Sequence, residues 1–540
     1  MVKVNVLRSS VQAGSYFQKD FANSQQQYYS HEGQTQGVWE GKLAQEWSLS
    51  GPVTPEQFDN LMEGRQPETG EQLVRNVGSR ENTNAEGEQK ETSGHRAGWD
   101  VTISAPKSVS AAAILGENER ICELHRESVQ EAMKAAEELV QARMGGDSAP
   151  QHTAKMAAVS FEHTSARPVD GYSSPELHTH FVVANITETA DGRYRSIESR
   201  ELYSAQRSVM EATYRSHLAY GLEHQLGYTV ERGPYGEPEI QGFTREWIEE
   251  VSKRSGQIRE KAAELGLESI EVRDRIAVST REGKHAIDRQ KTRQVQQETD
   301  RNHGIDHAQI VAQARERGPR IVSHGERLQA AREAVTYARD HNLERDATVS
   351  ERRLLRDALD RGQGMVKPED IRQEIDQRGR AGEFLQRGHE GLDRVLTTER
   401  EVAKEQVIID VMKHGRNTQR AFIHPNQWEN LRHDPGLARL NEAQQEVAHQ
   451  VLTNRDRIQG IQGSAGAGKT TLLSRSCRSS NVPDTRQKVS LRRPELPPVW
   501  VNRGSLRKPC RSTSNAANRN TNTLPIGSIW STNRASPAAA

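Results

Sequence analysis

Two segments in the first half of the chain constrain its fold most strongly. They read KMAAVSFEH and LHTHFVVANI, and a polar connection rich in proline, glycine and serine joins them. Short runs of β-branched and aromatic residues bounded by turn-forming residues are typical of strands. The pair therefore predicts an antiparallel hairpin with a long loop, and with it a sheet.

A third strand is predicted upstream, in the stretch GWDVTISAPKSVS. Alternate residues there leave opposite faces, which indicates a half-buried strand that ends at Pro106. The apolar face carries Val101, Ile103 and Ala105, and the polar face carries Asp100, Thr102 and Ser104. Apolar residues at helical spacing then predict a helix over 119–144.

Three histidines lie on the predicted hairpin. His178 and His180 are two residues apart, so on a strand both side chains leave one face, and His163 at the end of the other strand can reach that face. Three imidazoles that leave coordination positions open on the metal fit Zn, Mn or another divalent ion. The alternative is three separate surface or core histidines, and from the residues alone both interpretations stay open.

Asp100 adds a carboxylate on the polar face of the neighbouring strand. It could orient a ligand histidine or accept a proton, or it could be a solvated residue at the edge of the sheet. The same stretch continues as SAPKSVS, where Ser104 is a candidate N-cap. A helix start there could offer N–H groups to a phosphate, with Lys107 contacting DNA, or could simply be a capped helix.

Composition excludes several classes of protein. Among the 540 residues, 33% are hydrophobic and 27% charged, and no apolar run approaches the length of a membrane span. The N-terminus lacks the apolar segment of a signal peptide. Three scattered cysteines make neither a disulfide framework nor a thiolate metal site, so we expect a cytoplasmic protein. Because the net charge is zero, a polyanionic partner must be argued from local sites.

A glycine loop marks the last third of the chain. GSAGAGKT matches G-x-x-x-x-G-K-[ST] and lies between the apolar segment RIQGIQ and a helical segment. Backbone N–H groups of such a loop cradle phosphates, while Lys469 reaches the β- and γ-phosphates and Thr470 can ligate Mg²⁺. The glycines of the pattern are Gly463, Gly466 and Gly468.

Tyrosines near the N-terminus complete the set of candidate residues. Tyr16, Tyr28 and Tyr29 lie in SYFQKDFANSQQQYYS. Tyrosines usually pack in a core, but one placed near a metal that polarises a phosphodiester can attack it and form a phosphotyrosine link.

In order and spacing these motifs resemble the conjugative relaxases of the TrwC/TraI (MobF) type, over roughly residues 1–300. The resemblance implies an α+β protein with a HUH-type antiparallel sheet of about five strands flanked by helices. It also implies an enzyme that nicks single-stranded DNA at a plasmid origin of transfer and stays attached through a 5′-phosphotyrosine.

The resemblance assigns roles to individual residues. Tyr16 would be the nicking nucleophile, Tyr28 the second one and Tyr29 its support, while Asp100 would be the orienting base. The metal ligands would be His163, His178 and His180. The chain departs from the family in two respects: Phe17 stands where a second tyrosine is usual, and the gaps between the tyrosine pairs and between the histidines are longer.

The glycine loop and the preceding LNEAQQEVAHQVL resemble the start of superfamily 1 DNA helicases, with Gln444 as a candidate adenine contact. A helicase also needs a Walker B carboxylate, an arginine finger and a second RecA-like domain. The 70 residues after Thr470 do not resemble these parts. We therefore expect a truncated, partial P-loop α/β fragment that has lost ATPase activity, although ATP remains a candidate ligand.

The sequence thus predicts four regions: a relaxase domain over 1–300, a charged and mostly helical linker over 301–420, the start of a P-loop helicase domain over 421–474 and a disordered tail over 475–540. The expected cofactor is a divalent ion, Mg, Mn or Zn. Expected partners are single-stranded or hairpin DNA at a transfer origin, with other relaxosome and type IV secretion components and no membrane insertion. An ATP-binding helicase fragment and a non-catalytic DNA-binding remnant are the alternatives.

Overall fold

The computed structural model describes residues 2–8, 36–74, 81–83, 89–91, 96–166, 168–266, 276, 289–464, 466–479, 488–491 and 528–532. The chain divides into two compact units. The first comprises Met1–Arg339, Ser350–Arg380 and Gly388–Arg394, and the second comprises Asp340–Val349, Ala381–Arg387 and Val395–Ala540. The predicted domain boundaries at residues 300, 420 and 474 stay predictions.

A five-stranded sheet forms the centre of the first unit. Its strands are β1 (Val2–Leu7), β2 (Val38–Glu40), β3 (Gly98–Ser104), β4 (Ala158–Ser165) and β5 (Pro175–Ala184). Their order across the sheet is β1-β3-β5-β4-β2, and each neighbouring pair is antiparallel. The predicted antiparallel sheet of about five strands, including the hairpin of β4 and β5, is confirmed.

Helices cover both faces of this sheet. On one face lie α1 (Lys42–Glu46) and α2 (Pro55–Met62), whose buried side chains share a core with Phe161 and Val182. A Thr54 capping box begins α2 and satisfies its first N–H groups.

On the other face lie α3 (Lys107–Ile114) and α4 (Glu119–Glu137), which share a second core with Ile103 and Phe181. Alternation along each strand divides its side chains between these two cores.

The helix predicted over 119–144 ends at Glu137, so its last turns were predicted wrongly. Gln141–Ala142 forms a short strand that pairs with Gln151–His152. The Glu137 carboxylate accepts hydrogen bonds from the backbone N–H groups of Lys42 at 2.8 Å and Met156 at 2.9 Å. These tertiary contacts outweigh the local helical periodicity.

Residues 200–415 are largely helical. The α-helices there are Ser199–Ala205, Glu211–His224, Arg245–Val251, Lys253–Glu264, Arg289–His303, His307–Arg317, His324–Leu343, Glu351–Gly362, Pro368–Arg380 and Glu399–His414, with a π-helix at Gln206–Met210. The sequence patterns missed Val230–Arg232, which pairs with Pro238–Ile240, and the strands Val349–Ser350, Phe384–Glu390 and Asp393–Thr398. Two further short pairs join Glu81–Thr83 to Gln89–Glu91 and Thr187–Glu188 to Tyr194–Arg195.

The second unit contains the glycine loop. Its helices include Trp428–Leu431, Glu442–Thr453 and Lys469–Ser479, with a 3₁₀ turn at Pro425–Gln427. Strand Ile458–Gln462 pairs in parallel with Ser528–Thr532, which pairs in parallel with Lys488–Leu491. The predicted disordered tail, 475–540, contains strands Lys488–Leu491 and Ser528–Thr532 and the end of helix Lys469–Ser479. The rest of that tail lies outside the described residues.

Candidate active site

Three histidines of the hairpin come together on one face of the central sheet. His163 on β4 lies directly opposite His178 on β5, and His180 follows two residues later on the same face. The ring centroids are 5.2 Å apart for His163 and His178, 5.3 Å for His163 and His180, and 5.1 Å for His178 and His180. The lengthened loop between the strands therefore leaves the three side chains as neighbours.

Asp100 holds the ring of His180. The Nδ1 atom of His180 lies 3.0 Å from Oδ1 and 3.1 Å from Oδ2 of Asp100, and 3.3 Å from Thr102 Oγ1. Because an ionised carboxylate only accepts hydrogen bonds, Nδ1–H donates to Asp100 and the lone pair resides on Nε2. This is the arrangement in which a carboxylate orients a metal-binding histidine.

His178 is held in the same tautomer by the backbone. Its Nδ1 lies 3.0 Å from the carbonyl oxygen of Glu176, which can only accept, so Nε2 again carries the lone pair. Burial, and after it the electrostatic interaction with the neighbouring His180, lowers the pKa of His178 to about 4. The ring is therefore neutral near pH 7, the form that binds a metal.

The three imidazoles fit a divalent ion in chemistry and spacing. When nitrogen ligands sit about 2.0–2.1 Å from a tetrahedral ion, their ring centroids lie about 5 Å apart, which matches the spacing here. Among the described residues, no group of three or more His, Cys, Asp or Glu side chains is already arranged to hold a metal ion. Small rotations of the rings would still have to bring their nitrogens onto one ion.

Lys107, the predicted DNA contact, lies beside the start of β5. Its Nζ donates to Ser174 Oγ at 3.3 Å and to the carbonyl of Pro175 at 3.2 Å, and lies 3.8 Å from the Glu176 carboxylate. These contacts tie the ammonium group to the chain just before the histidines. A contact with DNA stays a prediction.

The helix start in SAPKSVS differs from the expected one. Ser104 belongs to β3, opposite His178, and the N-cap of α3 is Pro106, so the prediction that Ser104 caps the helix is wrong. The backbone N–H of Ser108 donates to Glu239 Oε2 at 3.1 Å, and its hydroxyl donates to the same oxygen. A carboxylate of the protein thus takes a position that a phosphate could have occupied.

The candidate nucleophiles Tyr16, Tyr28 and Tyr29, and the neighbouring Phe17, lie outside the described residues. Their assignment stays a prediction.

The described residues of the glycine loop include two glycines with left-handed backbone. The loop runs from strand Ile458–Gln462 to helix Lys469–Ser479, with φ of 79° at Gly466 and 76° at Gly468. Left-handed backbone of this kind favours glycine. Lys469 Nζ donates to the carbonyl oxygen of Gly463 at 2.8 Å, so the ammonium group lies over the loop.

Gln444 contacts this loop from the preceding helix. Its side-chain nitrogen donates to the carbonyl of Ala467 at 3.0 Å, and its backbone N–H donates to Asn441 at the helix start. Thr470 is exposed in the first turn of the following helix. Their nucleotide-binding roles stay predictions.

Sequence reasoning missed four residues around the histidine site. Glu176 continues the period-two pattern of His178 and His180, and that period could have placed it on their face. Thr102 was assigned to the polar face of its strand but not to the site. Ser110 and His125 contact β5 from helices on the far side of the sheet, and no local pattern links them to it.

None of the helices in the described ranges combines the length and the apolar character that crossing a bilayer requires.

Comparison with known proteins identifies two regions. The family described as TrwC relaxase matches residues 10–303, and an AAA domain family matches residues 439–479. Two curated relatives, both described as multifunctional conjugation protein TraI, come from Escherichia coli and from its strain K12. Each is 32% identical, over 299 and 300 residues respectively, covering 53% of this chain and 15% of the relative. The chain thus spans about one seventh of the relatives' length.

Solved structures of TrwC relaxase are also similar. A copper-bound complex with oriT DNA is 31% identical, covers 57% of this chain and 100% of that chain, and has a TM-score of 0.48. A complex with a 27-mer DNA comprising the recognition hairpin and the cleavage site is 29% identical over the same shares, with a TM-score of 0.45.

Proposed function

We propose that this chain, which belongs to the TrwC relaxase family, nicks single-stranded DNA at a plasmid origin of transfer by metal-assisted attack of a tyrosine. The observation that carries the proposal is the convergence of His163, His178 and His180 on one sheet face, with Asp100 bonded to His180. This cluster lies within the residues matched by the family.

The three histidines would hold a divalent ion, Mg, Mn or Zn, or another of similar preference. Such an ion, when bound, supplies a positive charge that polarises the scissile phosphate and stabilises the charge developing on it. At this site Asp100 and the Glu176 carbonyl would each fix the tautomer of one imidazole.

The covalent step would use Tyr16. Its phenolate oxygen attacks the phosphorus, the bond from phosphorus to the 3′ oxygen breaks, and that oxygen leaves as a 3′ hydroxyl after gaining a proton. The 5′ phosphate stays on the tyrosine, so the energy of the bond is kept for rejoining. Tyr28, supported by Tyr29, would serve the later strand transfer, and Asp100 would act as the orienting base.

The partners follow from the same proposal. The relatives are described as conjugation proteins and the similar structures hold oriT DNA, so we propose single-stranded or hairpin DNA at a transfer origin as the substrate. Other relaxosome and type IV secretion components would act with it in the cytoplasm.

Metal-dependent cleavage of an origin-containing oligonucleotide tests this function. We expect cleavage with Mn²⁺, loss of cleavage with EDTA and a decrease of at least about 100-fold in His180→Ala. His324→Ala, which removes an exposed histidine, is the matched control and should cleave as wild type does. Equal cleavage by His180→Ala and His324→Ala would refute the proposed site, and a folded chain that binds the oligonucleotide without cleaving it would favour a non-catalytic remnant.

A second proposal concerns the glycine loop. The match over residues 439–479 and the position of Lys469 over the loop support binding of a nucleoside triphosphate, as in an ATP-binding helicase fragment. Binding of a fluorescent ATP analogue should fall at least about tenfold in Lys469→Ala and stay unchanged in the control Lys413→Ala. Equal binding by the two variants would contradict this proposal.

A further inference from the structure

The strand that carries two of the histidines also has a polar residue on its opposite face. Thr179 lies between His178 and His180, and its side chain points into the core shared with α3 and α4. Its neighbours in that row, Leu177 and Phe181, are apolar and buried, whereas Thr179 is polar and only 4% exposed. A buried hydroxyl in such a row needs a partner, because an unpaired one is costly.

That partner is a histidine buried inside the core. His125, on α4, is 0% exposed, and its Nε2 lies 3.0 Å from Thr179 Oγ1. Its Nδ1 lies 2.8 Å from the hydroxyl of Tyr214, which is also buried. Both ring nitrogens are therefore engaged, and the ring spans from helix Glu211–His224 to the middle of β5.

A second contact fixes the same strand two residues earlier. β3 ends at Ser104, and beyond that point the N–H of Leu177 donates to Ser110 Oγ at 3.1 Å. Ser110 lies on α3 and is 0% exposed. Ser110 Oγ thus accepts the hydrogen bond from Leu177 N–H that a backbone carbonyl of β3 would have accepted if that strand were longer.

We infer that Ser110 and His125 are positioning residues, which hold β5 from behind so that His178 and His180 meet His163 at the spacing a metal needs. Backbone hydrogen bonds to β3 and β4 fix the register of β5, but apolar packing against α3 and α4 is not directional and allows the strand to bend or tilt. Hydrogen bonds at Leu177 and Thr179 restrict both motions, because their strength falls steeply with misalignment. Each anchored residue is next in sequence to His178.

The protonation of His125 agrees with this role. Burial lowers its pKa to about 3, so the ring is neutral and one nitrogen donates while the other accepts. Thr179 and Tyr214 hydroxyls can each serve as donor or acceptor, so they satisfy either tautomer.

The inference rests on the proposed metal site, and Co²⁺ titration of the full chain tests it through the absorption of the bound ion. Thr179→Val removes the hydroxyl and keeps the shape, and we expect about tenfold weaker Co²⁺ binding. Thr179→Ser restores the hydroxyl and should return the affinity to within about twofold of wild type. Ser110→Ala should weaken binding by about threefold or more.

Matched controls separate positioning from general loss of stability. Thr187 is equally buried, and its hydroxyl donates to the carbonyl of Lys155 at 2.8 Å, away from the histidines. Thr187→Val should lower the urea midpoint as Thr179→Val does, while Co²⁺ affinity stays at the wild-type value. Ser128→Ala is the corresponding control for Ser110→Ala, since the Ser128 hydroxyl bonds to the Leu124 carbonyl of its own helix and to His217 Nδ1, and neither partner lies on β5.

A double variant asks whether His125 acts through Thr179. If it does, His125→Leu combined with Thr179→Val should bind Co²⁺ no more weakly than His125→Leu alone. If wild type binds Co²⁺ no better than His180→Ala, the proposed metal site fails and the inference fails with it. If wild type binds but Thr179→Val binds equally well, or binds as Thr187→Val does, the inference alone is overturned.

Discussion

At the scale of single residues, the contact between Asp100 and His180 decides how the histidine cluster works. The carboxylate receives Nδ1–H and leaves Nε2 for a ligand, so it sets both the tautomer and the ring direction. In the proposed metal site, this contact would present the Nε2 lone pair of His180 to the ion.

Replacing this carboxylate tests its contribution. Asp100→Asn should weaken Mn²⁺ or Co²⁺ binding about 10–100-fold, because a neutral amide accepts more weakly and can turn its NH₂ group toward the ring. Isothermal titration of the metal measures the change. Asp147→Asn, at an exposed position, is the control, and a loss of affinity equal in both variants would count against the role of Asp100.

The buried ring of His125 predicts how stability depends on pH. Its pKa is about 3 in the folded chain and about 6.5 when unfolded, so between these values the unfolded chain binds more protons. The free energy of unfolding should therefore rise with pH across this window, by up to about 1.4 kcal/mol per unit, and the His125 share should level off above about pH 6.5.

Urea unfolding of wild type and His125→Gln, from about pH 4.5 to about pH 7.5, measures this share. The variant should show the shallower slope. Identical slopes would mean that His125 does not contribute, and that the remaining pH dependence comes from other groups such as His178.

Part of the site could be predicted at this scale. His178 and His180 share a face because strands have a period of two, and the hairpin places His163 opposite them. Ser110 and His125 could not be predicted, because their contacts with β5 join residues more than 50 positions apart. Local periodicity carries no information on such pairs.

At the scale of elements, the close pairing of β3 with β5 is what joins Asp100 to the histidines. Gly98 begins β3, and a Cβ there would lie 2.0 Å from the carbonyl oxygen of Val183 on β5. The two backbones can approach this closely because Gly98 has no side chain.

Gly98→Ala should consequently lower the free energy of unfolding by about 2–3 kcal/mol, since the pair of strands must separate or shift. Gly256→Ala is the matched control: no atom lies within 4 Å of its added Cβ, and alanine favours its helix Lys253–Glu264. The control should be neutral or slightly more stable in urea unfolding. Equal stability of the two variants would show that the strands do not need the glycine.

Helices and strands could be predicted where a hydrophobic pattern ran over many residues and the ends were set by residues nearby in sequence. The strand predicted from alternation appears over Gly98–Ser104 and ends two residues before the predicted Pro106, and the hairpin strands appear within about two or three residues of the runs of β-forming residues that predicted them. The end of α4 could not be predicted in this way, because burial of the Glu137 carboxylate depends on Lys42 and Met156, which are distant in sequence.

At the scale of the whole molecule, the chain carries two candidate sites in two compact units. The histidine cluster belongs to the first unit and the glycine loop to the second. Motifs predicted both candidate sites from the sequence, whereas the ranges of the two units interleave along the chain.

The proposed mechanism predicts a covalent adduct between Tyr16 and the 5′ phosphate of the cleaved DNA. Incubating the chain with Mn²⁺ and an origin-containing oligonucleotide, followed by proteolysis and mass spectrometry, should place a nucleotide on Tyr16. Tyr16→Phe should form no such adduct, while the control Tyr235→Phe, which alters an exposed tyrosine, should form it as wild type does. An adduct formed equally by Tyr16→Phe, or formed without any divalent ion, would contradict the proposed mechanism.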